Sequence, residues 1–465
     1  MADDQIRGGQ RPEPGAEDEY GLDRATLVAI LDAVEAGNAP RLTALMAPLH
    51  AADIADLLEQ IAPEERAALV RLYGHEFDGD ILSEIDESIR EEIVGLLSPQ
   101  VLTDAVRELD TDDVVDLIEG LEEPQQQEAV LEALADADRV AVEKALSYPE
   151  HSAGRLMQRE LVMGPEHWTV GEAIDYLRAA TGLPDQFYHM TLVNPRMQPV
   201  ANVTLGRILS SKRDVKLRDI AEATFRTFRV EEPEADVAYA FNQYHLISAP
   251  VVDADDRLVG VITIDDAMNV LDEEHEEDIL RLAGVGESSL SDRVLDTVRQ
   301  RFPWLFVNMV SAIIASTVIA RFEDAIGAIV ALAVLMPIVA SMGGNAGTQC
   351  LTVTVRAIAT RDLTAANIWR VIRREVLVGL TNGLVFAAFM AAIGIFWFHS
   401  PWLGVALAGA MVINHLVAGF AGILVPLTLD RVGVDPALAS GAFVTTLTDV
   451  VGFFAFLTLA AALLL

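Results

Sequence analysis

Two regimes of apolar patterning divide the chain. Beyond residue 303 the apolar positions run together, and five stretches (304–320, 325–355, 376–398, 402–428 and 436–465) approach or exceed the length of a membrane-crossing helix. Such a helix needs about 20 mostly apolar residues to span the hydrocarbon core. The second and fifth are long enough to predict tilt or interruption. Before residue 303 no run of that length occurs. The opening 1–21 lacks the basic-then-apolar pattern of a signal peptide and reads as a disordered acidic tail.

Between 22 and 150 the apolar positions recur at helical spacing in short blocks broken by Pro and Gly, with almost no strand signal. One block repeats: Asp53 to Ile61 reads DIADLLEQI and Asp113 to Leu121 reads DVVDLIEGL. Helix pairs that repeat in this way predict a small solenoid, whose apolar faces are covered only by neighbouring repeats. From 154 the pattern changes to two copies of helix plus strands, 154–215 and 216–272. Residues 191–209 align without a gap on 250–268, each an apolar strand, a turn, a second apolar strand and a helix start. An acidic linker and connecting helix are expected over 273–302, the helix itself over 291–302. The predicted fold class is therefore multidomain: an α-helical solenoid, a tandem α+β pair and an all-α, five-helix transmembrane domain over 303–465.

Charge divides the chain at the same place. The net charge is −37, and from residue 302 onward seven basic residues balance seven acidic ones. The whole excess thus belongs to the part before the membrane, a field that attracts cations and repels nucleic acid. Arginines mark the orientation: Arg293, Arg299 and Arg301 precede the first stretch, and Arg356, Arg361, Arg370, Arg373 and Arg374 lie between the second and third. Since short cytoplasmic loops carry the basic excess, the amino terminus is expected in the cytoplasm and, after five crossings, the carboxyl terminus outside. The expected location is the cell (inner) membrane. Cys350 is the lone cysteine and offers no disulfide. Without a Walker-type phosphate loop, a histidine metal cluster or a nucleophile with a base, the sequence argues against an enzyme or an ATP-driven pump.

Asp449 is the one charge in the last apolar stretch. A carboxylate at mid-membrane costs on the order of 3 kcal/mol, so it points to a cation path. Two polar constellations accompany it: GGNAGTQ, with Asn345, Thr348 and Gln349, and TTLTD, with Thr445 and Asp449. On a helix Asn345, Gln349 and Thr352 share a face, as do Gly441, Thr445, Asp449 and Gly452. Tight helix packing is the alternative for the small residues, and His415 reads as a packed or hydrogen-bonded histidine. Oxygen-only ligands with one carboxylate per chain suit a hard cation. Magnesium, which keeps several of its waters, fits a wide site of this kind. In the cytoplasmic half, DEEHEED (272–278) carries six carboxylates in seven residues. It reads as a divalent-ion sensor or as a solvated charge run.

The tandem copies resemble a pair of CBS domains. In the second copy Gly260, Thr263 and Asp266 match the G-x-x-T-x-x-D element that holds a nucleotide, while the first has Ala201, Thr204 and Arg207 in those places. ATP at the pair is thus one expectation, and a plain helix cap for Thr263 and Asp266 the other. The order of the domains, with MPIVASMGGNAGTQ, RAIATRDL, GVDPALASGAF and TLTDVVGF, resembles the MgtE family of magnesium channels. That resemblance implies a homodimer in membrane lipid, Asp449 as the pore carboxylate, and Mg2+ as both cargo and regulator. It also implies that Asp112, Asp116, Asp266, Glu274 and Glu277, with Asp80 and Asp278, hold regulatory ions that close the pore when internal magnesium is high. A gradient-coupled secondary transporter and a membrane-anchored magnesium sensor are the alternatives.

Overall fold

The computed structural model describes residues 22–184, 186–285, 294–364 and 366–465. The expected acidic tail lies outside them. From Arg24 to Ala145 the chain is a succession of short helices. Their starts are written in the sequence: Asp23, Asn38, Asp78, Asp86 and Ser98 each accept a hydrogen bond from a first-turn amide, which satisfies an otherwise orphan donor. The repeated block forms the helices Ala51–Gln60 and Thr111–Glu119. Ile54, Leu57 and Leu58 of the first are buried, as are Val114, Leu117 and Ile118 at the matching positions of the second.

Buried arginines tie these helices end to side. Arg66 donates to the carbonyls of Leu58 and Ile61 and to Glu92. Arg90 donates twice to the Ile85 carbonyl and once to that of Asp116, and pairs with the Asp116 carboxylate at 2.9 Å. Each guanidinium answers helix-end carbonyls that would otherwise be buried unpaired.

The tandem copies fold into two three-stranded sheets of identical topology, one parallel and one antiparallel pairing each. The first comprises Met163–Pro165, His189–Val193 and Pro199–Thr204; the second Phe228–Arg229, Ser248–Val252 and Leu258–Thr263. Both carry a register shift at the same place, Leu192/Val193 and Val251/Val252, so the duplication reaches the level of a single bulge. His189 and Ser248 join the copies at 2.7 Å, as does the Leu258 amide donating to the Met197 carbonyl.

The acidic run is not a linker: it lies within one helix, Ile264–Leu282. Nor, among the described residues, does a separate connecting helix precede the first span. Helix Val294–Ala320 runs through Pro303 into the apolar stretch as one element, because the change from polar to apolar side chains alters the surroundings and not the backbone period. Residues 286–293 lie outside the description. A short helix, Glu323–Ala328, precedes the second span, Ala331–Ala359; the third, fourth and fifth are Ile368–Phe396, Pro401–Val432 and Pro436–Leu464. Among the described residues five helices are thus long and apolar enough to cross a membrane. Their core is built on Leu332, Leu335, Leu403, Leu407, Met411 and Phe456. Close approach rests on glycine: a methyl at Gly422 would lie 2.6 Å from Cys350 Cβ.

Candidate functional site

The second and fifth spans meet where Gly347 faces Val444, so closely that a methyl on the glycine would lie 2.6 Å from Val444 Cγ1. On either side of that contact stand the predicted polar residues. Asn345, Thr348, Gln349 and Thr445 are exposed in the single chain, and Gly441 and Asp449 are partly exposed. The hydroxyls of Thr348, Thr352 and Thr445 donate to the carbonyls of Gly344, Thr348 and Gly441, four residues back. Their protons are thereby occupied, which leaves the oxygens as acceptors on the outer side of the helix. Asp449 makes no ion pair among the described residues.

Behind this face the fourth span supplies two buried polar groups. His415 Nδ1 contacts the Met411 carbonyl at 2.9 Å, and its ring stacks on Phe386, so it is packed as expected. Asn414, beside it, is fully buried and donates to the Val339 carbonyl at 2.8 Å. Nothing in the local sequence separates Asn414 from an ordinary packing residue; only the meeting of three helices gives it weight.

In the unit that ends at Glu273, Asp112, Asp113 and Asp266 converge. Burial and the neighbouring carboxylates push Asp112 well above its ordinary range. The same causes raise Asp113 to about 7, with Asp266 the foremost neighbour, and burial raises Asp266 to about 6. Thr263 donates to Asp266 through its amide and, at 2.6 Å, through its hydroxyl. This is the capping geometry, so the residues singled out for a nucleotide are engaged with each other. Gly260 is packed against Met157 and the Gln158 carbonyl, with no room for a methyl.

A second convergence surrounds Glu273. Burial, then Asp116, Glu234 and Glu87, raise its pKa to about 7 against the opposing pull of Arg90. Asp113, Glu87 and Glu234 were not singled out in the sequence, since helix-start acids are routine caps. Asp116 is held by Arg90, and Asp80 is exposed at the start of helix Gly79–Ser83. Among the described residues no contact brings Asp80 to either cluster. Of the remaining predicted acids, Glu277 pairs with Arg281 at 2.6 Å, and Arg281 in turn donates to Asp435 at 3.0 Å. Asp278 is raised by burial and by Asp435. Glu274 lies on the same helix. Among the described residues no three acidic, His or Cys side chains form a closed metal cage.

Five apolar spans, one of them carrying a carboxylate, joined to acidic helical and CBS-like units, define a multi-pass membrane protein of cation transport. A family model described as a divalent cation transporter, MgtE, matches residues 336–459, one for the MgtE intracellular N domain matches 49–151, and a CBS domain model matches 217–273. The magnesium transporter MgtE of Enterococcus faecalis is 33% identical over 309 residues, 66% of this chain and 68% of that protein. Those of Thermus thermophilus (29% over 448 residues, 95% and 99%) and Bacillus subtilis (26% over 411 residues, 88% and 91%) are also similar. The chain belongs to the MgtE family of magnesium transporters, which are not enzymes.

Proposed function

We propose that two copies of the chain form a magnesium channel in the cell membrane, with the paired Asp449 carboxylates facing one water-filled lumen. The observation that carries this reading is the arrangement around Asp449: an intramembrane carboxylate with no ion pair among the described residues, flanked by the exposed Asn345, Thr348, Gln349 and Thr445. Polar side chains facing lipid are costly, and a two-fold axis along this face would cover them with their own counterparts. Two carboxylates balance one divalent charge, and carbonyl and hydroxyl oxygens meet an ion that keeps several of its waters. The arginine-rich loop between the second and third spans supports a cytoplasmic amino terminus.

Internal Mg2+ closes the path by neutralising the acidic clusters. In the soluble unit these are Asp112, Asp113 and Asp266, and Glu273 with Asp116; on the membrane-side unit Glu274, Glu277 and Asp278 serve, and Asp80 is a further exposed carboxylate of the set. Each ion contributes only its difference in affinity between the closed and open states, so a sharp response needs several sites. ATP bound through Gly260, Thr263 and Asp266 would compete for the same Asp266 carboxylate. The test is Mg2+ flux into liposomes holding the purified protein. Asp449→Ala is expected to abolish flux while the protein elutes and melts as the wild type does. Undiminished flux in that variant would end the pore reading. A flux that follows an imposed proton gradient would favour a secondary transporter.

A further inference from the structure

Asn414 stands where the second, fourth and fifth spans meet. Its Nδ2 donates to the Val339 carbonyl of the second span, and its Oδ1 has no hydrogen-bond partner among the described residues. Glycines close on both sides of the amide. A methyl at Gly343 would overlap it, and one at Gly452 would lie 2.7 Å from Nδ2 and 3.3 Å from Oδ1. A buried acceptor left unpaired is unfavourable, and an apolar side chain of similar volume would avoid it. Stability alone therefore does not account for an amide here.

Its placement does. Gly343 precedes Asn345 by two residues, about 200° of helix rotation, so the amide braces the side of the second span opposite the polar face. Gly452 follows Asp449 by three residues, about one turn, on the fifth span. We infer that Asn414 is a positioning residue that fixes the separation of the second and fifth spans at the depth of Asp449, and thereby the width of the ion site. Discrimination between Mg2+ and the larger Ca2+ depends on cavity size and ligand number, so this spacer governs selectivity. The inference rests on the reading of Asp449 as the pore carboxylate.

The experiment measures the Mg2+ to Ca2+ flux ratio of the full-length protein in liposomes, with thermal melting of each variant in parallel. Gly452→Ala drives a methyl against the amide, forces the spans apart, and is expected to lower the ratio about tenfold, the scale of one misplaced methylene. Adding Asn414→Ala removes the group the methyl strikes and is expected to restore the ratio to within about threefold of wild type, a coupling that independent sites do not show. Asn414→Leu is expected to melt no lower than wild type and still to shift the ratio. A double variant no better than Gly452→Ala, or a folded Asn414→Leu protein with the wild-type ratio, overturns the inference. Loss of Asp449-dependent flux is a separate outcome: wild-type flux indifferent to Asp449→Ala refutes the pore reading itself.

Discussion

Asp113→Asn is expected to stabilise the helix Thr111–Glu119 at pH 8 in the absence of divalent ions. Asp113 is raised from 3.8 to about 7 by burial and by Asp266, Asp110 and Asp116. A carboxyl that keeps its proton longer in the folded chain than in the unfolded one favours folding at low pH. That contribution is whole below about pH 4 and is lost as pH climbs through 7. The full difference corresponds to on the order of 4 kcal/mol. Asp112 and Asp266 share the same repulsion and remain in the variant, so about half of that is expected from one substitution.

Hydrogen exchange of the amides in Thr111–Glu119 reads this locally, in the full-length protein and after correction for the intrinsic pH dependence of exchange. A gain of about 2 kcal/mol is roughly a 30-fold slowing at pH 8. At pH 5 the gain shrinks, because the wild-type carboxyl is then mostly protonated in the folded state. Millimolar Mg2+ at pH 8 is expected to slow exchange in the wild type and to do so less in Asp113→Asn, since the ion and the proton answer the same repulsion. Equal exchange in the two proteins across the pH range, or faster exchange in the variant at pH 8, would refute the reasoning.

Three further substitutions probe the scaffold. Arg90→Ala strips two helix-end carbonyls and Asp116 of a buried partner; a loss of about 3 kcal/mol or more is expected in urea unfolding of the soluble unit. Arg281→Ala removes the 3.0 Å bond to Asp435, whose other oxygen caps the fifth span at Ala437. Faster amide exchange at the start of that span is the expected outcome, on the order of fivefold for about 1 kcal/mol. Gly422→Ala places a methyl 2.6 Å from Cys350 Cβ and 2.9 Å from the Gly347 carbonyl. An overpacking cost of about 1–3 kcal/mol follows, visible as a lower melting temperature in detergent.

The membrane spans and the duplication were legible because each is a pattern of many residues. A twenty-residue apolar run has few alternatives, and the gapless match of 191–209 to 250–268 placed Leu192 opposite Val251, where both sheets carry their bulge. Boundaries were less legible. The acidic 272–278 looked like a linker because charge repulsion disfavours an isolated helix, yet it lies in the middle of Ile264–Leu282, with Ala267 and Val270 buried on one side of the helix. Helical spacing alone could group Gly441, Thr445 and Asp449, which are exposed or partly exposed, but it put Gly452 with them, and that glycine is buried against Asn414. Asn414 could not be read from spacing: its role depends on Gly343 and Gly452, residues 71 and 38 positions away that only the fold brings to one amide. The carboxylate clusters were half legible for the same reason, since Asp112 and Asp266 came from resemblance while Asp113, Glu87 and Glu234 join them through packing.

A common physical condition links the two ends of the molecule. In the unit that ends at Glu273, Asp113 and Glu273 are both raised to about 7, so near neutral pH each is balanced between its protonated and charged forms. A site so balanced gains the most from a divalent ion, because binding relieves a repulsion that folding has already imposed. In the membrane Asp449 lacks an ion pair among the described residues, while its neighbours offer oxygens whose protons are engaged elsewhere. Both places keep carboxylates where water alone solvates them poorly, and on the proposed reading both leave the remaining charge for a hard cation. On the proposed reading, one ion acts as signal at the first and as cargo at the second without any change in the chemistry of recognition. Sensitivity of the carboxylate clusters to pH and to Mg2+ should then move together, whereas the Mg2+ to Ca2+ flux ratio should follow only the spacing of the second and fifth spans.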